Sequence, residues 1–317
     1  MKKTNFDDMP IIIQDFLKNY LKVAKGRSDL TISEYYYDLR DIFKFIKRDK
    51  FNIKEDNYKN IKIHDLDLKF FENITTNDLY EYLFTSSGKA VSRARKISSM
   101  KTFFNYLCNI KKIIDRNPCI GLESPKLENR LPKYLKLDEA LSLLHSIDGD
   151  FKIRDTAIIT LFLNCGLRLS ELVNINLCDI KNDTISIIGK GNKERSIYLN
   201  QTCRDVINDY LKVRPVDDVK DKEALFLSKQ RKRISPRMVE LLVKKYIISA
   251  GLDPRKYTPH KLRHTAATLM HKHGKVDILT LQQILGHESI ATTQIYTHID
   301  SEDVKTALES NPLNHLS

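Results

Sequence analysis

From Thr31 to Ile46 ("TISEYYYDLRDIFKFI") the apolar positions Tyr36, Leu39, Ile42 or Phe43, and Ile46 recur three or four apart, which places them on one side of an α-helix. A second helix is predicted from "TTNDLYEYLF", where hydroxyl residues starting at Thr75 can cap the chain ahead of another apolar face. In "SRARKISSMKTFFNYL" (Ser92–Leu107), Ile97, Met100, Phe104 and Leu107 share a face, while Arg93, Lys96 and Lys101 project mostly elsewhere. That basic side suits either a phosphate backbone or plain solvation. Residues 47–69 are polar, mixed in charge and poorly periodic, and read as an extended connection.

"DRNPCIGLESPKLENRLPKYL" carries three prolines and a glycine, the composition of a linker, which sets a boundary near residue 126 and two domains, 1–126 and 127–317. In the second, "IRDTAIITLFLNCGLRLSELVNI" reads as an apolar helix that stops around Gly166 and restarts with Ser170 as N-cap. "TISIIGKGNKERSIYL" (Thr184–Leu199) has two β-favouring runs joined by a Gly- and Asn-bearing turn, a hairpin signal. "SPRMVELLVKKYIISAGL" starts with a Ser cap and Pro236 and ends at Gly251. In "LGHESIATTQIYTH" a helix start at Ser289 puts Tyr296 about two turns in, where Ile290, Ile295 and Tyr296 could equally form an apolar stripe. The fold class is mainly α with a small antiparallel sheet.

The chain has 317 residues and a net charge of +12, compatible with a polyanionic partner, and the larger share of the surplus lies in the first domain. No apolar run of about 18 residues occurs, and "MKKTNFDDMPIIIQDF" has acidic residues where a signal peptide needs an apolar segment, so a soluble, cytoplasmic protein without membrane contact is expected. Five cysteines (108, 119, 165, 178, 203) form no CxxC pair and read as reduced and structural.

Ionisable residues sit beside structural punctuation at four places. Arg168 lies at a break between helices, with Glu171 three residues on and able to hold its guanidinium. Lys190 occupies the turn "GKGNK". His260 and Arg263 in "TPHKLRHT" share a helical face, and His287 precedes Tyr296. His260 and His264 also have the i, i+4 spacing of a zinc helix, but Lys261 stands where a metalloprotease needs Glu, and no metal site is expected.

The ordered set "GLRLSEL", "GKGNKER", "HKLRH" and "LGHESIATTQIY" resembles the tyrosine recombinases, most closely their Xer-type members, across essentially the whole chain. The first domain resembles that family's core-DNA-binding domain in "YYYDLRDIFKFI", "RARKISSMKTFFNYL" and "NPCIGLESPKL". The resemblance implies an N-terminal helical DNA-binding bundle and a mostly helical catalytic domain. It also implies that Arg168 and Arg263 bind the scissile phosphate, Lys190 is general acid, His260 acid/base, His287 a phosphate support and Tyr296 the nucleophile, with Glu171 behind Arg168. Lys193 and Arg237 join Arg93, Lys96 and Lys101 as candidate DNA contacts. A phosphotyrosine intermediate conserves the energy of the broken bond, so no ATP, metal or other cofactor is expected.

The implied activity is site-specific recombination of double-stranded DNA by a homo- or hetero-tetramer, alone or with a second recombinase and an accessory activator, resolving chromosome or plasmid dimers. An integrase of a mobile element is the alternative; a type IB topoisomerase and an inactive DNA-binding homologue are the rivals in activity. The tail "IDSEDVKTALESNPLNHLS" is expected to form a short helix, about residues 301–311, with an apolar stripe from Val304, Ala307 and Leu308 that docks on a neighbouring subunit.

Overall fold

A computed structural model describes residues 6–54, 58, 60–86, 88–125, 133–189 and 194–286. The chain divides into two compact units, Met1–Asn129 and Arg130–Ser317. Lys190, Lys193, His287, Tyr296 and the tail helix expected at about 301–311 all lie outside the described residues.

The first unit is helical. Helix α1 (Ile11–Asp15) continues into π-helical turns over Phe16–Ala24, followed by α2 (Asp29–Lys50), α3 (Leu68–Glu72), α4 (Thr76–Thr85) and α5 (Ala90–Asn105). Ser28 caps α2 by accepting from the Thr31 N–H, and Lys47, Arg48 and Lys50 favour its last turn, which explains why the helix outruns its apolar repeat at both ends. Thr75 and Asp78 close a reciprocal capping box on α4. The core is aromatic: Phe43 meets Phe71 edge-on at 5.0 Å and Phe103 at 5.4 Å, with Phe16 and Phe104 also fully buried.

Residues 47–69 depart from the expected free connection. Helix α2 runs to Lys50, α3 begins at Leu68, and Ile61, Ile63 and Leu66 between them are buried in the first unit's core. Their alternation is too short to stand out against the charges around them, one of which, Lys47, crosses back to the Lys62 carbonyl at 2.8 Å.

The second unit holds α6 (Leu137–His145), α7 (Lys152–Cys165), α8 (Leu169–Asn174), α9 (Gln201–Val213), α10 (Pro236–Ser249), α11 (Pro259–Lys272) and α12 (Ile278–Leu285). Helix α7 packs on α9 and α11 and is buried nearly all round, from Ala157 to Cys165, so it has no single apolar stripe and forms the unit's central rod. Strands β1 (Ile180–Lys181), β2 (Thr184–Ile188) and β3 (Glu194–Tyr198) make an antiparallel sheet in that order, with Ile185 paired to Ile197 and Ile187 to Arg195. Ser235 caps α10 with Pro236 at its first position. The thiols of Cys165 and Cys203 stand 3.8 Å apart, hydrogen-bonded and not joined in a disulfide.

Helix α7 ends at Gly166, in the left-handed conformation at φ 60°. A Cβ on Gly166 would meet Leu285 Cδ2 at 2.8 Å, so glycine answers both a backbone and a packing demand there. Gly166→Ala is therefore expected to lower unfolding stability by more than about 1–2 kcal/mol, read as a shift in the urea midpoint. The restart differs from expectation: Arg168, not Ser170, is the N-cap of α8. The cause is Glu171, whose carboxylate accepts the Arg168 backbone N–H at 2.8 Å and so replaces the hydroxyl cap.

Candidate active site

The second unit gathers three guanidiniums around one carboxylate. Glu171, on the first turn of α8, is buried and accepts from Arg168 Nη1 at 2.7 Å and from Arg195 Nη1 and Nη2 at 2.8 and 3.0 Å. Arg263 Nη1 on α11 stands 3.7 Å from the same carboxylate. Burial alone would raise the Glu171 pKa, but the forked Arg195 and the backbone and side chain of Arg168 outweigh it and hold the acid at about 2. Three cations against one anion leave the cluster with a net charge of +2, a site in want of an anion.

The guanidiniums also fix the backbone. Arg263 donates to the Gly166 carbonyl at 2.8 Å and to the Leu285 carbonyl at 2.6 Å, meeting the C-terminal ends of α7 and α12, where positive charge is favoured. Arg168 Nη2 donates to the Gly286 carbonyl at 2.8 Å. Two arginines thus pin the carbonyls of consecutive residues just before His287. Helix α12, not among the expected elements although an Asp cap and a Gly stop bracket it in the sequence, sets this turn: Asp277 caps it, and Gly286 ends it at φ 61°.

His260 lies one turn before Arg263 on α11, solvent-accessible, with its Nε2 3.0 Å from Nε2 of the buried His264. At that separation one ring nitrogen must donate and the other accept. Desolvation by the surrounding protein, then the positive charges of Lys261, Arg263 and Arg168, lower the His260 pKa below the ordinary histidine value. Near neutral pH the imidazole is therefore poised as a base.

Arg168, Glu171, His260 and Arg263 accordingly meet in one place. Lys190 and Lys193 follow β2 in sequence, and His287 directly follows Gly286. Among the candidate DNA contacts, Arg93 and Lys101 are exposed on α5, and Arg237 is exposed beside Glu240 at 3.3 Å. Lys96 is engaged: its ammonium pairs with Asp41 at 3.0 Å and lies over the Tyr82 ring at 4.7 Å, tying α5 to α2 and α4. Arg195 was missing from the expected site. Its signal was parity, since it shares the β3 face of buried Ile197, where an unpaired cation would be costly.

Residues 133–303 match the Phage integrase family. The chain is 54% identical to Tyrosine recombinase XerC of Caldanaerobacter subterraneus subsp. tengcongensis, over 96% of this chain and 88% of that protein. It is 34% identical to Tyrosine recombinase XerD of Proteus mirabilis, over 95% and 92% of the two chains. In fold it resembles the XerH site-specific recombinase bound to difH substrate, with TM-score 0.68, 24% identity, and 93% and 83% of the two chains covered. No helix among the described residues is long and apolar enough to cross a membrane.

Proposed function

We propose, for a chain that belongs to the phage integrase family and is a DNA breaking-and-rejoining tyrosine recombinase of the Xer type, that the cluster around Glu171 is its phosphate-binding and cleavage site. The observation that carries this is the convergence of Arg168 and Arg263 on the Leu285 and Gly286 carbonyls, directly ahead of "HESIATTQIY". In this reading Arg168 and Arg263 bind the scissile phosphate. Attack builds negative charge on the non-bridging oxygens, and permanently charged, forked donors meet it without reorganising. Glu171 holds Arg168 in place and keeps the charge of the cluster from reaching +3.

Tyr296 attacks phosphorus and forms the 3′-phosphotyrosine, releasing a 5′-hydroxyl. His260, with its lowered pKa, accepts the phenolic proton, and His287 supports the phosphate. Lys190 protonates the leaving 5′-oxygen. Rejoining is the same exchange in reverse by the 5′-hydroxyl of a partner strand. The first unit, with Arg93 and Lys101 exposed on α5, is the core-DNA-binding domain, and the second unit the catalytic domain. Lys193 and Arg237 contact DNA beside the cleavage point. The enzyme works in the cytoplasm as a tetramer, homomeric or shared with a second recombinase, and resolves chromosome or plasmid dimers. Identity to both a XerC and a XerD supports this over a role in a mobile element.

A supercoiled plasmid carrying two copies of a candidate site tests the reading. Recombinant circles are expected, together with protein covalently attached to DNA. Relaxation without recombinants would point to topoisomerase action, and binding without an adduct to an inactive homologue.

Lys190 gives a sharper outcome. Lys190→Ala is expected to slow cleavage of ordinary DNA by about 10²–10⁴-fold, the usual worth of a general acid. Sulfur in the bridging 5′ position should restore most of the rate, because a thiol with pKa about 8.5 leaves without a proton. A variant equally slow on both substrates would assign Lys190 to binding.

A further inference from the structure

The three arginines around Glu171 are not equivalent. Arg168 and Arg263 meet the turn before His287 through carbonyls, and both are placed above on the phosphate. Arg195 does neither. Its two Nη groups form a fork with both Glu171 oxygens, at 2.8 and 3.0 Å, and its side chain is only 16% exposed. Its Nε–H is buried without a hydrogen-bond partner among the described residues. The guanidinium is therefore held by Glu171 and by packing.

The packing is specific. A Cβ on Gly286 would lie 2.9 Å from Arg195 Nη1 and 3.0 Å from Cζ, so the backbone that leads into His287 rests directly on the guanidinium. At the other end, Arg195 stands on β3 opposite Ile187, five residues after Lys190. A short hairpin such as β2–β3 is marginally stable by itself, and a general acid placed between these strands needs them anchored to present a proton at a fixed point. One side chain thus joins the strand behind Lys190, the carboxylate that orients Arg168, and the turn that runs toward Tyr296.

We infer that Arg195 is a positioning residue for strand cleavage: it sets the register between the Lys190 hairpin, the Glu171–Arg168 pair and the Gly286 turn without touching DNA. This rests on the roles assigned above to Lys190 and Arg168. A displacement of about 1 Å in such groups can cost on the order of 10²-fold in rate while leaving binding intact.

The test uses the full chain as wild type, R195Q and R195K, with a nicked suicide site on which wild type forms its adduct. DNA affinity, thermal midpoint and single-turnover cleavage at saturating DNA are measured at neutral pH. R195Q is expected to bind within about twofold of wild type but to cleave about 10–100-fold more slowly. Its deficit should appear in the cleavage step and not in affinity, because both phosphate-binding arginines remain while the elements that carry them lose their common anchor. R195K should fall between, since an ammonium preserves charge but cannot reproduce the fork. It also decides the matter if R195Q does not fold.

R195K cleavage within about threefold of wild type would overturn the inference. So would an R195Q deficit that vanishes when cleavage is assayed well below that variant's own thermal midpoint, which is the mark of a merely structural ion pair. A wild type that forms no adduct on any site would instead sink the roles of Lys190 and Arg168, so the two failures are distinct.

Discussion

Tyr296→Phe is expected to bind its DNA site within about twofold of wild type and to form no covalent adduct, a loss of at least about 10⁴-fold in cleavage. The substitution removes one oxygen and leaves the ring, so any packing role of Tyr296 survives while its nucleophile is gone. The two readings left open by the spacing of Ile290, Ile295 and Tyr296 are thereby separated. The phenol has an ordinary pKa near 10, and it needs local cations and a base to attack at neutral pH. The cluster supplies both: the guanidiniums leave a net +2 beside the turn that precedes it, and His260 is biased toward its neutral form. Incubation with a nicked suicide site followed by a denaturing gel reads the result. A surviving protein–DNA band would mean that another group attacks.

The site was legible in the sequence where chemistry coincided with punctuation. Gly166 announced the end of α7, and the i, i+3 spacing of His260 and Arg263 announced a shared face on α11, because both follow from local backbone rules. The restart at α8 was misread for a physical reason. A serine beside an apolar run is the common cap, but Glu171 caps Arg168 instead, and a carboxylate three residues on can serve as cap and guanidinium holder together. Arg195 was passed over although its strand parity with Ile197 was legible, because its fork to Glu171 and its contact with Gly286 depend on α8 and α12 arriving from elsewhere in the chain. The same holds for Ile61, Ile63 and Leu66, whose burial is a decision of the first unit's aromatic core rather than of their own sequence. Lys96 shows the converse: a cation on a basic helix face is spent on Asp41 inside the unit, leaving Arg93 and Lys101 as the outward charges of α5.

Glu171→Gln should lower the stability of the second unit markedly. The carboxylate is buried, and its pKa is held at about 2 against a reference of 4.5, so the guanidiniums favour its ionised form by about 3 kcal/mol. A folded-state pKa below the unfolded one means stability that is fully present above about pH 4.5 and lost as pH falls toward 2. The variant should therefore unfold about 3 kcal/mol more easily at neutral pH. The gap to wild type should close progressively below about pH 4.5, where wild type protonates Glu171 as well. Urea unfolding at a series of pH values measures this, and a gap independent of pH would show that Glu171 acts by shape rather than by charge. Removing the anion also raises the cluster from +2 to +3, so non-specific DNA affinity at low salt should not fall and its salt dependence should steepen. Cleavage should fall all the same, because an arginine that binds phosphate more strongly but from an unfixed position holds the ground state as well as it holds the transition state. A Glu171→Gln chain that grips DNA and cuts slowly would locate the contribution of this carboxylate in orientation. One that loses DNA binding in step with cleavage would locate it in the fold alone.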